Sequence, residues 1–409
     1  MSEQTAQLQT EMISLSKIKV CMVVNQNYYT DTRVISYANA LCESGAQVHV
    51  ISAKRLPNSS DSPNPKIRIF SIPIAKSNES GLGYIFNYIL SIIFFTFYVS
   101  FLYIRYRYQL IHVHNMPDTL IFSALVPKLF GCKVILDIHD PMPNVFISKY
   151  NKNFKSKLVR LLVIQEQVSA SLADEVITAN PIFKDELCQR GIPKKKILVV
   201  NNIPNPQVFN RDILPEKEAE PSEGFTLIYP GTIAARYSLD IPIRALPRLS
   251  KEIPNIKLKI IGKLNQYADD LIRLATQLDV SEHVEIIAHL PASQVAFEIA
   301  KANIGIYTAI PDAHMDIAMP GKVLEFVTMG IPVVATRLRI LEAFFDDSSI
   351  FFFSPGDIDQ FSNQVISLYR DPGLRNRFIR NADEVFTNKY LWKDEFIRYL
   401  QLVNRLVSL

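Results

Sequence analysis

The sequence predicts an α/β protein made of two doubly wound parallel-sheet domains in tandem. Short β-branched apolar runs alternate with longer helix-like stretches along the chain, which is the pattern of parallel strands covered by helices on both faces. The 409 residues are too many for one hydrophobic core. A stretch rich in proline and acidic residues interrupts the alternation at residues 206–224 and reads as a linker.

The first domain is expected over residues 17–205. Residues 1–16 read as a flexible tail without the features of a secretory signal. Helix-like segments include residues 31–44 and 118–130. Seven strands are predicted between the helices, in this order: IKVCMVV, QVHVISA, IRIFSIPI, LIHVHN, KVILDIH, EVITAN and ILVVNN.

An unusually apolar segment covers residues 81–107, with no charge between Gly81 and Ile104. About 20 apolar residues can cross a bilayer, but the segments on either side both read as strands of one sheet. We therefore expect a helix that packs on the sheet and also touches the membrane surface; a helix buried all round is the alternative. Basic residues that favour anionic lipid follow it: Arg105, Arg107, Lys149, Lys152, Lys155 and Lys157.

The second domain is expected over residues 225–389. Its six predicted strands are TLIYPG, KLKIIG, HVEIIAH, IGIYTA, PVVAT and SIFFFSP. The last helix, residues 390–409, has no strand after it and is expected to pack back on the first domain. Ligands of such sheets bind at the carboxyl ends of the strands, and a cleft between two domains is a common binding place.

Composition excludes several classes. A net charge of +4 is too small to indicate nucleic-acid binding. The four cysteines are scattered, without a C-x-x-C pair, and read as reduced residues of a cytoplasmic protein.

Two stretches of the second domain predict an anion site. Gly231 ends a strand and permits close backbone approach, and Arg236 follows before a helix. In PGKVLE, Lys322 and Glu325 lie on one side of a helix start. The helix N-terminus and Lys322 suit a diphosphate, and Glu325 suits neighbouring hydroxyl groups; a solvated ion pair is the alternative for this second stretch.

Polar residues also end one strand of the first domain. Asp137, His139 and Asp140 crowd the end of VILDIHD, where a histidine can orient or titrate a substrate hydroxyl. A metal held with His112 and His114 is conceivable, but no further ligand spacing supports one. These two histidines are expected to pack against a helix.

The loop after the first strand, NQNYYTDTRV, contains no glycine. A dinucleotide fingerprint requires glycines there, so NAD or FAD binding is disfavoured. The loop is polar and lies where an acceptor could enter, which makes Asn25, Asp31 and Arg33 candidate acceptor residues.

Together these stretches resemble the retaining glycosyltransferases of family 4, whose GT-B fold has two Rossmann-like domains facing a cleft. The resemblance covers about residues 17–392, and the order and spacing of its motifs are specific. It implies transfer of a sugar from a nucleotide-sugar donor with retention of configuration, as a rule without metal or other cofactor. It rests on DTRVISYANAL, IHVHNMPD, VILDIHDPMP, YPGTIAARYSLDIPIRAL, PGKVLEFVTMGIPVVAT and NKYLWKDEF.

The resemblance implies roles for the donor residues. Arg236 and Lys322 would hold the diphosphate, and Glu325 would hold the ribose. Gly231 would let the backbone approach the phosphates. The base would lie against residues 288–290, ending at Leu290.

It also implies that His139 contacts the transferred sugar or the acceptor and that Asp140 helps position it. Two positions depart from the family pattern. Ile317, with Asp316 beside it, stands where many members have the first of two glutamates, although PGKVLE fits members with P-x-K-x-x-E. Asn144 stands where relatives with HDPMPE have a glutamate, which bears on the acceptor.

The expected function is therefore a metal-independent, retaining hexosyl-type glycosyltransferase of polysaccharide or glycan assembly. Its acceptor would be a saccharide or a polyprenyl-linked saccharide, at the inner face of the cell membrane. Two alternatives remain open at this point: a sugar-nucleotide epimerase of the same fold, and a non-catalytic nucleotide-sugar-binding scaffold.

Overall fold

The computed structural model describes residues 13–53, 64–72, 82–213 and 224–408, with backbone alone for residues 82–88. The chain divides into two compact units. The first unit contains residues 1–201 and 393–409, and the second contains residues 202–392. Each holds one parallel sheet flanked by helices, which confirms the predicted fold class.

The first unit has a seven-stranded sheet in the order β3-β2-β1-β4-β5-β6-β7, parallel throughout. All seven predicted strands are confirmed. They are β1 (Lys19–Val24), β2 (Gln47–Ala53), β3 (Arg68–Ile72), β4 (Leu110–His114), β5 (Lys133–Ile138), β6 (Glu175–Thr178) and β7 (Ile197–Val199).

Helices connect these strands because parallel neighbours need a crossover. They are α1 (Thr32–Glu43), α2 (Leu82–Tyr106), α3 (Leu125–Leu129), α4 (Met142–Tyr150), α5 (Lys157–Leu172) and α6 (Pro181–Gln189). The segment expected as a helix over residues 118–130 is a 3₁₀ helix over Asp118–Ala124 followed by the short α3.

The alternation of side chains along each strand separates two cores. Cys21 and Val23 of β1 face a core that includes residues of α2, the 3₁₀ segment, α5 and α6. Met22 and Val24 face the opposite core, which includes residues of α1 and of the C-terminal helix. Apolar side chains on both faces explain why the strands read as continuous apolar runs.

The second unit has a six-stranded parallel sheet in the order β10-β9-β8-β11-β12-β13. All six predicted strands are confirmed: β8 (Phe225–Pro230), β9 (Ile256–Ile261), β10 (Val284–Ile287), β11 (Ile304–Tyr307), β12 (Val333–Thr336) and β13 (Phe351–Phe353). Its helices are α7 (Asp240–Glu252), α8 (Gln266–Gln277), α9 (Ala292–Lys301), α10 (Gly321–Thr328), α11 (Arg339–Glu342), α12 (Ile358–Arg370) and α13 (Pro372–Ala382).

The C-terminal helix α14 (Trp392–Val407) returns to the first unit, as expected. Its Tyr399 is fully buried, and a 3.0 Å hydrogen bond joins the Tyr399 hydroxyl to Nδ1 of His112 on β4. Glu395 is 1% exposed and accepts hydrogen bonds of 2.9 Å from both the backbone and the side-chain nitrogen of Asn201. The helix therefore completes one face of the first sheet.

The predicted flexible tail needs a correction within its described part. Leu15 is 1% exposed, and its backbone nitrogen donates to the carbonyl of Ser44 at 2.7 Å. Residues 13–16 therefore pack on the end of α1, because Leu15 fills the same core as that helix. Residues 1–12, and residues 214–223 of the predicted linker, lie outside the described part.

Helix α2 joins β3 and β4, which are parallel strands of one sheet. In the described part of the chain it is the one helix long and apolar enough to cross a membrane, over Ile89–Tyr106. Its inner side chains, Phe95 and Val99 among them, are fully buried in the sheet core. Its outer side chains are not: Phe97 is 73% exposed. The alternative of a helix buried all round is therefore wrong.

We expect Glu395→Ala to lower the free energy of unfolding of the first unit by roughly 1–3 kcal/mol, because two half-buried donors of Asn201 lose a charged acceptor. Chemical denaturation measures this loss. Asp394→Ala is the matched control, since Asp394 is an exposed carboxylate on the same turn, and it should change stability by about 0.5 kcal/mol or less. Equal effects of the two substitutions would contradict the assigned role of Glu395.

Candidate functional site

The second unit brings four predicted donor residues to the carboxyl edge of its sheet. Helix α10 begins at Gly321 after Pro320, and Gly231 directly follows β8. A Cβ added to Gly231 would lie 2.7 Å from Cε of Lys322. The Lys322 side chain therefore lies across Gly231. This arrangement puts the Lys322 ammonium and the backbone N–H groups of a helix start at one place, which suits an anion.

A second glycine, Gly262, makes this edge compact. A Cβ on Gly262 would lie 2.1 Å from the carbonyl oxygen of Gly231 and 2.8 Å from Cγ1 of Ile233. The Gly231 nitrogen donates to Ile261 at 2.7 Å. Neighbouring strands β8 and β9 thus end in two touching glycines, and the Gly262 position has no room for a side chain. Gly262 was not among the predicted site residues, although it ends the predicted strand KLKIIG.

Glu325 lies one turn into α10, near Gly321, whose added Cβ would be 3.9 Å from its Oε1. Burial raises the pKa of Glu325 to about 7, and the nearby Lys322 ammonium limits that rise. A desolvated carboxylate with a neutral-range pKa accepts hydrogen bonds strongly once it ionises. Glu325 can therefore accept hydrogen bonds from neighbouring hydroxyl groups of a ligand whose anionic group lies near Lys322.

Arg236 lies on a 3₁₀ turn, Ala235–Tyr237, after β8. Its side chain is 37% exposed and lies 3.6 Å from a carboxylate oxygen of Asp312. Asp312 also accepts hydrogen bonds from the backbone nitrogens of His314 and Met315 at 2.8 Å, so it is fixed in the loop after β11. Asp312 was not among the predicted site residues, because no motif marks it in the sequence. Leu290 is half-buried in the loop after β10.

The first unit holds His139 and Asp140 at the carboxyl end of β5. Asn115, 1% exposed at the end of β4, fixes both. Its Oδ1 accepts from the His139 nitrogen at 3.2 Å, and its Nδ2 donates to the Asp140 carbonyl at 2.8 Å. The same Nδ2 donates to Asp118 at 3.0 Å. Burial, and secondarily Glu166, raises the pKa of Asp118 to about 7.

Asp137 is the centre of a buried polar network on β5. Arg33 binds it through Nε at 2.9 Å and through a second guanidinium nitrogen at 3.1 Å. His114 Nδ1 lies 3.1 Å from the carboxylate, and His139 Nδ1 lies 3.6 Å from it. Burial alone would raise the pKa of Asp137, but Arg33 and then the histidines hold it well below its usual range.

The histidines respond to the same network in different ways. Burial lowers the pKa of His139, yet the Asp137 carboxylate more than offsets this, so the pKa lies above its usual value. Burial lowers the pKa of His114 despite Asp137, and it lowers the pKa of His112 much further. His139 is thus the histidine of this group that is best placed to carry a proton, and its side chain is 15% exposed.

The side chains of His112, His114 and Asp137 approach one another within 4.8 Å and resemble a metal-binding group. They do not fit a cation well. Both carboxylate oxygens of Asp137 are occupied by the Arg33 guanidinium, which would repel a metal ion. His112 Nδ1 is hydrogen-bonded to Tyr399. The group instead reads as an internal ion-pair network.

Two predicted acceptor residues are placed differently from the prediction. Arg33 lies in α1 and is 8% exposed, because its charge pairs with Asp137 in the core. Asn144 is 3% exposed and its Oδ1 accepts from Arg190 at 3.0 Å. Arg190 also pairs with the fully buried Glu166 at 2.6 Å. Both side chains therefore make internal contacts, and their contacts with an acceptor stay predictions.

The remaining loop residues are more accessible. Asn25 directly follows β1 and is half-buried. Asp31 is half-buried and caps α1, since its Oδ1 accepts from the Val34 nitrogen at 3.1 Å. At the family departure, Ile317 is 4% exposed, and Asp316 accepts from the Arg339 nitrogen at 2.9 Å as it caps α11. Asp316 is thus occupied as a helix cap.

Two protein-family models match the chain. The model "Glycosyltransferase Family 4" matches residues 30–207, and the model "Glycosyl transferases group 1" matches residues 210–385. The two matches fall on the two units.

Curated relatives include the GDP-mannose-dependent alpha-(1-6)-phosphatidylinositol monomannoside mannosyltransferase of Mycolicibacterium smegmatis, 32% identical over 146 residues, or 34% of this chain and 37% of the relative. The chitobiosyldiphosphodolichol beta-mannosyltransferase of Debaryomyces hansenii is 24% identical over 280 residues, or 63% of this chain and 58% of the relative. The matches therefore span about one third to three fifths of these relatives' own lengths.

Among solved structures, sucrose-phosphate synthase from Thermosynechococcus elongatus has a TM-score of 0.74 with 16% sequence identity. The match covers 96% of this chain and 100% of that structure. At this identity the likeness concerns the fold.

We expect Arg33→Ala to lower the free energy of unfolding by roughly 3–5 kcal/mol, because it leaves the Asp137 carboxylate buried without its cation. Thermal or chemical denaturation measures the loss. Arg273→Ala is the control: its guanidinium is 59% exposed, so its surface pair with Asp270 should contribute about 0–1 kcal/mol. Unchanged stability of Arg33→Ala, with weaker acceptor binding, would contradict this structural role and support the predicted acceptor role.

Proposed function

We propose, on the premise that this chain belongs to the glycosyltransferases of family 4, that it transfers a sugar from a nucleotide-sugar donor to an acceptor hydroxyl in glycan assembly. The observation that carries the proposal is the Lys322 side chain lying across Gly231 at the start of α10. A cation and a helix start meet there beside the Gly231 backbone, with Glu325 one turn further on.

The charge arrangement suits departure of a nucleoside diphosphate. Breaking the bond to the sugar builds negative charge on the β-phosphate. Lys322, Arg236 and the N-terminus of α10 supply fixed positive potential for that charge. Glu325 would accept hydrogen bonds from the two ribose hydroxyls, and the loop ending at Leu290 would contact the base. No metal is required in this proposal, because protein groups supply the positive charge.

His139 and Asp140 are proposed to meet the reacting sugar or the acceptor hydroxyl. Asn115 fixes the backbone of both residues, and Asp137 supports the His139 ring. The acceptor hydroxyl would attack from the face that the leaving group vacates, with retention of configuration. The proton leaves the acceptor oxygen as the new glycosidic bond forms, and the departing diphosphate oxygen can receive it.

We propose a lipid-linked saccharide as the acceptor class, used at the cytoplasmic face of a membrane. The names of both curated relatives contain lipid components, a phosphatidylinositol mannoside and a dolichol diphosphate. The outer side of α2 supports peripheral membrane contact: its apolar side chains are exposed, and Arg105 and Arg107 lie at its end. Asn25 and Asp31 remain proposed acceptor-loop residues.

We expect one nucleotide class in a panel of UDP-, GDP-, ADP- and TDP-sugars to raise the melting temperature of the protein, since a ligand that binds only the folded state stabilises it. GDP-mannose is the first candidate, given the name of one relative. Lys322→Ala and Glu325→Ala should each weaken binding at least about tenfold, which corresponds to loss of one charged hydrogen bond.

Lys251→Ala is the control, because Lys251 is an exposed lysine of the same unit at the C-terminal end of α7, apart from the donor residues. Stabilisation that survives both α10 substitutions would mean that the donor binds elsewhere. The absence of any shift with every donor would favour the scaffold alternative.

We expect His139→Ala to lower kcat by roughly 10²-fold, the loss that misplacement of a reacting group can cause, while donor binding by thermal shift stays intact. His283→Ala is the control, since His283 lies in the second unit and binds the Ile256 carbonyl. NMR of the product should show the anomeric configuration of the donor. Inversion would refute retention, and conversion of the donor without acceptor would indicate an epimerase.

A further inference from the structure

Helix α5 exposes a stripe of apolar side chains that sequence analysis did not single out. Leu158, Leu161, Ile164 and Val168 are 49%, 57%, 54% and 45% exposed. Spacings of three and four residues place them on one side of the helix. The opposite side is buried, with Val159 and Ala170 at 0% and 1% exposure. We call these four residues the α5 stripe.

The α5 stripe lies on the same sheet face as the outer side of α2. Both helices contact the 3₁₀ segment Asp118–Ala124, and both contribute buried residues to the core on that face. Helices on one face of a sheet turn their outer sides away from it in a common direction. The outer side of α2 also exposes apolar residues. We call them the α2 stripe: Ile89, Leu90, Ile93, Phe94, Phe97, Phe101 and Ile104.

The end of α3 adds to this surface beside α2. Leu129 and Phe130 are 83% and 71% exposed, and α3 contacts α2. Apolar side chains of α2, of the end of α3 and of α5 are therefore all exposed to water. This much exposed apolar side chain on one face of a folded unit indicates a partner.

The charges around the α5 stripe identify the kind of partner. Residues 141–165 contain no acidic residue. Five exposed cations occur there, and none forms an ion pair in the described part of the chain: Lys149, Lys152, Lys155, Lys157 and Arg160. Unpaired cations beside an apolar helix side match anionic headgroups above an acyl layer. A second copy of this chain would bring like charges together.

We propose that the α2 and α5 stripes insert together into one anionic membrane leaflet, with the basic residues of 149–160 at the lipid phosphates. This deepens the peripheral membrane contact of the proposed function and rests on it. A single inserted helix leaves the unit free to roll about the helix axis. Two inserted helices define a plane and fix the orientation of the first unit on the membrane.

The experiment uses the single tryptophan of the chain, Trp392. In a Trp392→Phe background, tryptophan is placed in the α5 stripe by Leu161→Trp, in the α2 stripe by Phe97→Trp, and at an exposed polar position of α5 by Gln167→Trp. Vesicles of phosphatidylcholine with or without phosphatidylglycerol are added. We expect the emission of the first two probes to shift to the blue with the anionic vesicles only, and that of the third to stay unchanged.

A second measurement is independent of the tryptophan probes. In vesicle flotation of the full chain, Leu161→Glu with Ile164→Glu should reduce partitioning about tenfold or more, because two apolar side chains lose their burial. Gln167→Glu with Gln277→Glu adds the same charge to exposed polar positions away from the α5 stripe and should reduce it much less. Thermal shift with the nucleotide sugar is measured on every variant to keep the donor site as a separate readout.

The outcomes separate the proposals. A shift of Phe97→Trp without a shift of Leu161→Trp overturns the two-helix insertion and leaves membrane contact by α2. No shift of either probe, with intact donor binding, overturns membrane contact and the inference but not sugar transfer. A blue shift that follows protein concentration without vesicles, with a dimer mass, assigns the surface to a second copy and overturns the inference.

Discussion

The buried ion pair of Arg33 and Asp137 is the contact on which the polar network at the carboxyl end of β5 depends. It joins α1 to β5, and a further guanidinium nitrogen of Arg33 donates to the Val200 carbonyl at 3.0 Å. The rings of His114 and His139 lie next to the Asp137 carboxylate, which Arg33 holds in place. A buried pair contributes little net stability, since both charges lose water, but removal of one partner is costly. The pair therefore fixes geometry more than it adds stability.

The pair also sets a pH window. The pKa of Asp137 is depressed in the fold, so its stabilisation is present above the usual carboxyl pKa and is lost as the pH falls through the depressed value. The pKa of His139 is raised, so its contribution is present below about 6.5 and is lost as the pH rises through the raised value. Asp118, with a pKa of about 7, favours the fold at low pH, and that benefit fades between about 4 and 7.

The strands were predictable because buried parallel strands carry apolar side chains on both faces, and β-branched runs such as VILDI leave little ambiguity. Gly231, Lys322 and Glu325 were found for a related reason: local motifs mark strand ends and helix starts. The pairing of Arg33 with Asp137 was not predictable, since 104 residues separate them and either could have been solvated. The same holds for Asn144, whose partner Arg190 lies two helices further on. Asn115 had a visible signal, a polar residue ending LIHVHN, but its bonds depend on the neighbouring strand.

The C-terminal helix α14 has a consequence for synthesis of the chain. It gives Tyr399, Leu402 and Val403 to the core of the first unit, yet residues 202–392 of the second unit separate it from the rest of that core. At about 5–20 residues per second on the ribosome, this interval lasts on the order of ten to forty seconds. During it one sheet face of the first unit lacks its cover, with apolar surface open to chaperones and to misassociation. The first unit begins folding early but is completed last.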